Sequence, residues 1–387
     1  MDTFSSINTQ TQAGDYSNKI DSEKITRSKP EINVLIDSQI TNTPKFSIIM
    51  RTQGKRIELM EQAIVCLLSQ EYQNFELIVV GHNIEQAKVN DVEKLIKDFG
   101  IQLKGKVTFL VVNTGLRGVP MNVGIDRAVG EYVGFLDDYD LVFAHWLQVF
   151  ADKIEEFPGK IIRSRCVDRF VEHSDNSNIP SYVHSNLEDV RDATFSLSAH
   201  FFISQTVLHQ YVTPRAKIIE SQSYVDESLP VVEDWDFLLR NAELFGVEDT
   251  GKITGIYNRW SNKGSSLHEF DADIWSGCHR QVFMRFNDRA ILIPKGELVQ
   301  LYRLWMIQER FKQLAGDVIV DGDLITINKK KNAMIRKIQY YEHANSVERM
   351  FTRKELLIKC ANAFLPNGLN RVIKKAYRIA KKFKAGS

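Results

Sequence analysis

Four short apolar runs, Phe46 to Met50, Phe75 to Val80, Val107 to Val112 and Tyr132 to Leu136, alternate with stretches whose apolar residues recur at helical spacing. No other feature of the 387-residue chain constrains its fold as strongly. Runs of this length, without polar alternation, read as strands buried on both faces. Between the first two runs, Ile57, Met60, Ala63, Ile64, Leu67 and Leu68 fall on one face of a helix; Val89, Val92, Leu95, Ile96 and Phe99 repeat the pattern before the third. Strand and helix in alternation imply right-handed crossovers and a parallel sheet, whose ligands sit outside the carboxyl ends of the strands. Chemistry is therefore expected just after Met50, Val80, Val112 and Leu136.

The remaining chain divides by composition. Residues 1–43 are rich in Ser, Thr, Asn, Gln and Asp without a sustained apolar period, and are expected to form a disordered amino-terminal tail. Residues 44–285 hold the α/β domain, although 160–285 mixes short apolar runs with polar loops. A helical carboxyl-terminal extension is expected over 286–361, broken at Gly316 and by a hairpin near Asp321. Over 362–387, Leu369, Val372, Ile373, Ala376, Ala380 and Phe383 share one helical face opposite seven basic residues, with no acidic residue in the segment. Elsewhere the charges nearly cancel, 50 Lys and Arg against 49 Asp and Glu overall, so no global field recruits nucleic acid. Four scattered cysteines without a CxxC pair suit a reducing compartment. The amino terminus lacks the pattern of a signal peptide and no run is long enough to span a bilayer, so a cytoplasmic location is expected.

Two acidic groups carry the chemistry. Asp137, Asp138 and Asp140 follow the fourth apolar run, where clustered carboxylates would hold Mg²⁺ or Mn²⁺ together with phosphate oxygens; an acidic turn with Asp140 capping a helix near Phe143 fits the spacing equally well. Glu233 and Asp234 precede a short helical pattern (Trp235, Leu238, Leu239), as dipole-favoured caps or as a general base facing a cleft.

The ordered fragments Ser47-Ile-Ile-Met-Arg-Thr52, Gln73 to Val80, Asn113-Thr-Gly115, Asn122 to Asp140 and Glu233-Asp-Trp235 resemble the family 2 glycosyltransferases of the GT-A fold over roughly residues 44–260. The resemblance implies a Rossmann-like, mostly parallel sheet flanked by helices. It also implies transfer of a hexosyl or hexosaminyl unit from a nucleotide-sugar donor to an acceptor hydroxyl with inversion, in bacterial surface polysaccharide or glycolipid assembly. Asp234 would be the base with Glu233 beside it, and Asp138 and Asp140 would hold a divalent metal, Mn²⁺ or Mg²⁺. Arg51, Thr52, His82, Asn83, Arg117, Asp137 and Asp138 would line the donor pocket, with Arg259 and Lys263 clamping the diphosphate.

The chain departs from the family pattern in three places, one of them being Tyr257-Asn-Arg-Trp-Ser-Asn-Lys263 where a histidine often follows. Val80-Gly-His-Asn83 stands where an acid near the nucleoside is usual, and Tyr139 occupies the usual metal-binding Asp position. A catalytically inactive nucleotide-sugar binder and a sugar-phosphate nucleotidylyltransferase are the alternatives. The basic helix suits contact of residues 366–387 with an anionic membrane surface at its inner face, where a lipid-linked or glycan acceptor would be met.

Overall fold

The computed structural model describes residues 25–174, 181–184, 187–188, 191, 194–201, 204–260, 270–287, 290–291, 297, 299 and 302. Within them the expected strands form as β2 (Phe46–Thr52), β3 (Phe75–His82), β4 (Val107–Val112) and β5 (Tyr132–Phe135), all parallel in the order β4-β3-β2-β5. Their connections are α1 (Ile57–Leu68), α2 (Gln86–Asp98) with the short α3 (Gly100–Leu103), and α4 (Gly118–Arg127). The apolar runs are continuous because both faces of the sheet are covered. Phe46, Ile48 and Met50 pack on Met60, Ala63, Ile64 and Leu67 of α1, whereas Ile49 lies on the opposite face with Val123 and Ile125 of α4. A Cβ at Gly124 would lie 2.5 Å from Ile49, so only glycine lets α4 press onto β2.

Beyond β5 the parallel sheet gains antiparallel neighbours. The further elements are β6 (Leu141–Val142), α5 (Trp146–Glu156), β7 (Ile161–Ser174), β8 (Ser181–His184), α6 (Leu197–His200), β9 (Tyr211–Pro214), α7 (Arg215–Ser221), α8 (Glu233–Phe245), β10 (Val247–Trp260) and α9 (Ala272–Asn287). β9 joins β5 and β7 antiparallel, β7 and β10 run parallel, and β6 closes the edge on β10. The carboxyl ends of β7 and β10 thus share the edge of the sheet at which β2 and β5 end.

Two expectations change. In the stretch read as a tail, β1 (Asn33–Ile36) adds antiparallel to β4, Leu35 and Ile36 lean on the core, and the Glu227 backbone N–H donates to the Thr26 carbonyl at 3.0 Å. An edge strand is held by backbone pairing and needs no apolar period, so composition conceals it. Helix α5 begins at Trp146, not near Phe143, and Asp140 does not cap it. The expected helical extension beyond Asn287 and the basic segment 362–387 lie outside the described residues, apart from the few residues between 290 and 302.

Candidate active site

Elements from both halves bring charged groups together at the carboxyl edge. Arg51 is the penultimate residue of β2, Arg117 caps α4, Asp137 follows β5 and Glu233 opens α8. Arg51 Nε donates to Asp137 Oδ1 at 3.0 Å and its Nη1 to Glu233 Oε1 at 2.8 Å; Arg117 Nε lies 3.3 Å from the same Glu233 oxygen. Two guanidinium groups therefore balance two carboxylates. Burial alone would raise both acids, but Arg117 and Arg51 hold Glu233 below the usual carboxylate range, and Arg51 and Arg117 do the same for Asp137. Both stay ionised.

Asp234, the next residue, is different. Its Oδ1 accepts from the Trp235 backbone N–H at 2.8 Å, and Arg51 and Arg117 act on it less than burial and the charge of Glu233 do. Burial, and then the charge of Glu233, push its pKa up to about 6. The backbone turns sharply here: Val232, which precedes α8, is left-handed at φ 60°. That conformation costs a β-branched residue about 1–3 kcal/mol, strain of the kind concentrated at functional sites. Trp235 points into the core and donates Nε1–H to the His200 carbonyl at 2.7 Å, in keeping with a packing role.

The Asp137–Asp140 cluster is dispersed rather than convergent. Asp137 faces Arg51 and also accepts from the Tyr139 hydroxyl at 3.3 Å. Asp138 Oδ2 accepts from the Thr52 hydroxyl at 2.5 Å, while Thr52 Oγ1 accepts from the Gly54 backbone N–H at 2.9 Å. Burial raises Asp138 to about 6 in spite of that bond. Asp140 turns away. Its Oδ1 accepts from the Asn258 backbone N–H at 2.8 Å and its Oδ2 lies 3.2 Å from His209 Nδ1. Burial opposes charge on His209, but Asp140 and Cys166 outweigh it and push the imidazole up to about 10. Asp140 thereby anchors β10 and the segment around His209. Among the described residues no group of three or more acidic, His or Cys side chains is arranged for a metal ion. A single carboxylate such as Asp138 suits the mode in which Mg²⁺ or Mn²⁺ takes most of its oxygens from phosphate and water.

The other expected residues are distributed around this centre. His82 and Asn83 end β3 beside β2. Burial keeps His82 below its ordinary pKa, its Nε2–H donates to the Thr114 carbonyl at 3.2 Å, and Asn83 Nδ2 donates to Gly115 O at 3.3 Å. They tie two loops together where a nucleoside would lie. Arg259 is not brought to the Arg51–Glu233 network: its Nη1 lies 3.2 Å from Asp168 Oδ2, and Arg191 grips the same carboxylate. Lys263 lies outside the described residues. The sequence offered no motif for Asp168, Arg191 or His209, whose roles come from pairing between β7, β9 and β10.

Residues 47–211 match the family model for glycosyl transferase family 2. That segment is similar to the family. Among the curated relatives that the chain matches, an uncharacterized glycosyltransferase of Haemophilus influenzae is 32% identical over 102 residues, 26% of this chain and 38% of that protein. A GalNAc(5)-diNAcBac-PP-undecaprenol beta-1,3-glucosyltransferase of Campylobacter jejuni is 30% identical over 115 residues, 29% of this chain and 35% of that protein. The chain thus spans little more than a third of the length of either. The solved structure of Staphylococcus aureus TarS 1-349 with UDP-GlcNAc aligns at a TM-score of 0.49 and 18% identity, over 87% of this chain and 92% of that one. No helix among the described residues is long and apolar enough to cross a membrane.

Proposed function

We propose that the chain transfers a hexosyl or hexosaminyl unit from a nucleotide-sugar donor to an acceptor hydroxyl with inversion, Asp234 acting as general base. The observation that carries this is the contrast of neighbours: Glu233 held ionised by two arginines, and Asp234 beside it raised by burial and the Glu233 charge to a proton affinity near neutral pH. A base works best when its pKa lies near the working pH. Asp234 takes the proton of the acceptor hydroxyl as its oxygen bonds to the anomeric carbon. The bond from that carbon to the diphosphate oxygen breaks, and the diphosphate leaves with the electron pair. Glu233, Arg51 and Arg117 fix the start of α8 and hence the position of the base.

Thr52, His82 and Asn83 line the nucleoside side of the pocket in this reading. Asp138 would hold a divalent ion, which when bound polarises the leaving diphosphate. The acceptor is a glycan or lipid-linked glycan of a bacterial surface polymer. The Campylobacter relative, named for an undecaprenol-linked glycan, supports this, as does the basic face of residues 366–387, which suits an anionic membrane at the cytoplasmic surface.

A thermal-shift screen of nucleotides and nucleotide sugars, with and without Mn²⁺, followed by transfer assays with the stabilising donor, tests the function. A donor that stabilises the fold yet is neither transferred nor hydrolysed would indicate the inactive binder instead. Removal of residues 366–387 should move the protein from the membrane fraction to the soluble one; unchanged partitioning rejects the surface contact.

A further inference from the structure

The loop that runs into Glu233 and Asp234 is held from a side that the chemistry does not use. Asn122, buried in α4, brackets Val225: its Oδ1 accepts the Val225 backbone N–H at 3.0 Å and its Nδ2 donates to the Val225 carbonyl at 2.8 Å. The same Nδ2 group donates to Glu227 Oε1 at 2.8 Å. Glu227, itself buried, accepts the Ser28 backbone N–H on its other oxygen, while its own backbone N–H donates to the Thr26 carbonyl at 3.0 Å. Between these two bonds the Arg27 guanidinium carbon lies 3.7 Å from the centroid of the Tyr224 ring, and the group pairs with Asp126 of α4. Asp37 pairs with Arg127, the next residue of α4, and β1 joins β4. Residues 26–37 therefore form a strap that runs from the β4 edge past the end of α4 to the loop before α8.

The loop has strain to hold. Val232 is left-handed, and a residue keeps that conformation only where its surroundings over-determine the chain. On the inner side Leu229 and Val231 are sunk in the core, and Gly118 lets α4 close on the loop, since a Cβ there would lie 3.1 Å from the Asp226 carbonyl oxygen. Toward the surface Glu227 supplies the hold, with both of its oxygens engaged. Helix α4 also joins this hold to the charged centre, because Arg117 at its start lies 3.3 Å from Glu233.

We propose that Glu227 is a positioning residue which, with the strap at Thr26–Ser28, fixes the 224–232 loop and through it the base Asp234. The amino-terminal segment, whose composition reads as a tail, is then a working part of the active site. The proposal rests on Asp234 acting as base and adds the element that aims it.

Donor turnover by the full chain, read as release of UDP or GDP from UDP- and GDP-sugars, tests it together with titration of UDP and GDP. Glu227→Ala should lower kcat about 10- to 100-fold, the scale for a reacting group misplaced by about an ångström, with donor KM and nucleotide affinity close to wild type. Ser28→Pro removes the N–H that reaches Glu227 and should lower kcat in the same direction, by less. Lys29→Met, on the exposed neighbour, should turn over as wild type. Leu103→Ala, a core truncation in α3, should lower Tm at least as far as Glu227→Ala yet keep kcat, which separates positioning from lost stability. Wild-type kcat in Glu227→Ala overturns the proposal, and so does an equal loss of kcat in Leu103→Ala. If Glu227→Ala does not fold, Glu227→Gln and Ser28→Pro decide, and undiminished kcat in both overturns it. No turnover by the wild type, or wild-type turnover in Asp234→Asn, defeats the base reading itself, and is told apart because neither result involves Glu227.

Discussion

The acidic turn after β5 and the acidic start of α8 lie at the same edge of the sheet and look alike in composition, yet they are electrostatically opposite. In the turn, each carboxylate has its own partner: Arg51 for Asp137, Thr52 for Asp138, His209 for Asp140. At the helix start, Glu233 absorbs two arginines and leaves Asp234 with a backbone N–H and a negative neighbour. An acid gains a proton-transfer role where burial and a like charge outweigh nearby cations, and the partners, not the number of acids, separate anchoring from chemistry.

The contrast is broken most severely by removing the shared cation. Arg51→Met strands Asp137 and leaves Glu233 with Arg117 alone, and should cost about 3–5 kcal/mol in chemical denaturation, the range for a halved buried ion pair. A loss below 1 kcal/mol would show that the network contributes little. Asp234→Asn should bind nucleotide nearly as wild type while transfer falls about a hundredfold or more, as for a lost general base; unaltered turnover removes Asp234 from the mechanism. Asp138→Ala should weaken nucleotide binding about tenfold in Mn²⁺ and not in EDTA, the scale of one lost ligand contact. Asp140→Asn should lower the melting temperature without changing that Mn²⁺ dependence.

The smallest effect sharpens the comparison through pH. Asp234 must be deprotonated to act, so activity should rise as pH passes through about 6, where its carboxyl titrates. Burial and the Glu233 charge both raise that value, so Glu233→Gln removes one cause and should move the acidic limb of the kcat profile to lower pH. A limb that stays in place would show that burial alone sets it.

Legibility followed the same division. The parallel half was readable because each strand is buried on both faces and each helix shows one apolar stripe, so Ile48, Met60 and Val92 announce their elements locally. Arg51 and Asp137 could be singled out because the topology directs chemistry to strand ends, and Asp234 because of its place at a helix start and the family resemblance. His209, Asp168 and Arg191 could not. Their partners are fixed by the β7–β10 and β7–β9 ladders, which join residues as distant as Asp168 and Tyr257, and no local period encodes such pairing. β1 was missed for a related reason, since an edge strand is held by main-chain bonds that any sequence can make.

The sequence by itself determined the α/β order of the parallel half and carried the resemblance to the family. Only tertiary structure decided how the five nearby acids differ in proton affinity, because that affinity is set by the cations and burial that folding brings within a few ångströms. It likewise set Asp140 against Asn258 and His209, and placed Arg56 over the Tyr139 ring.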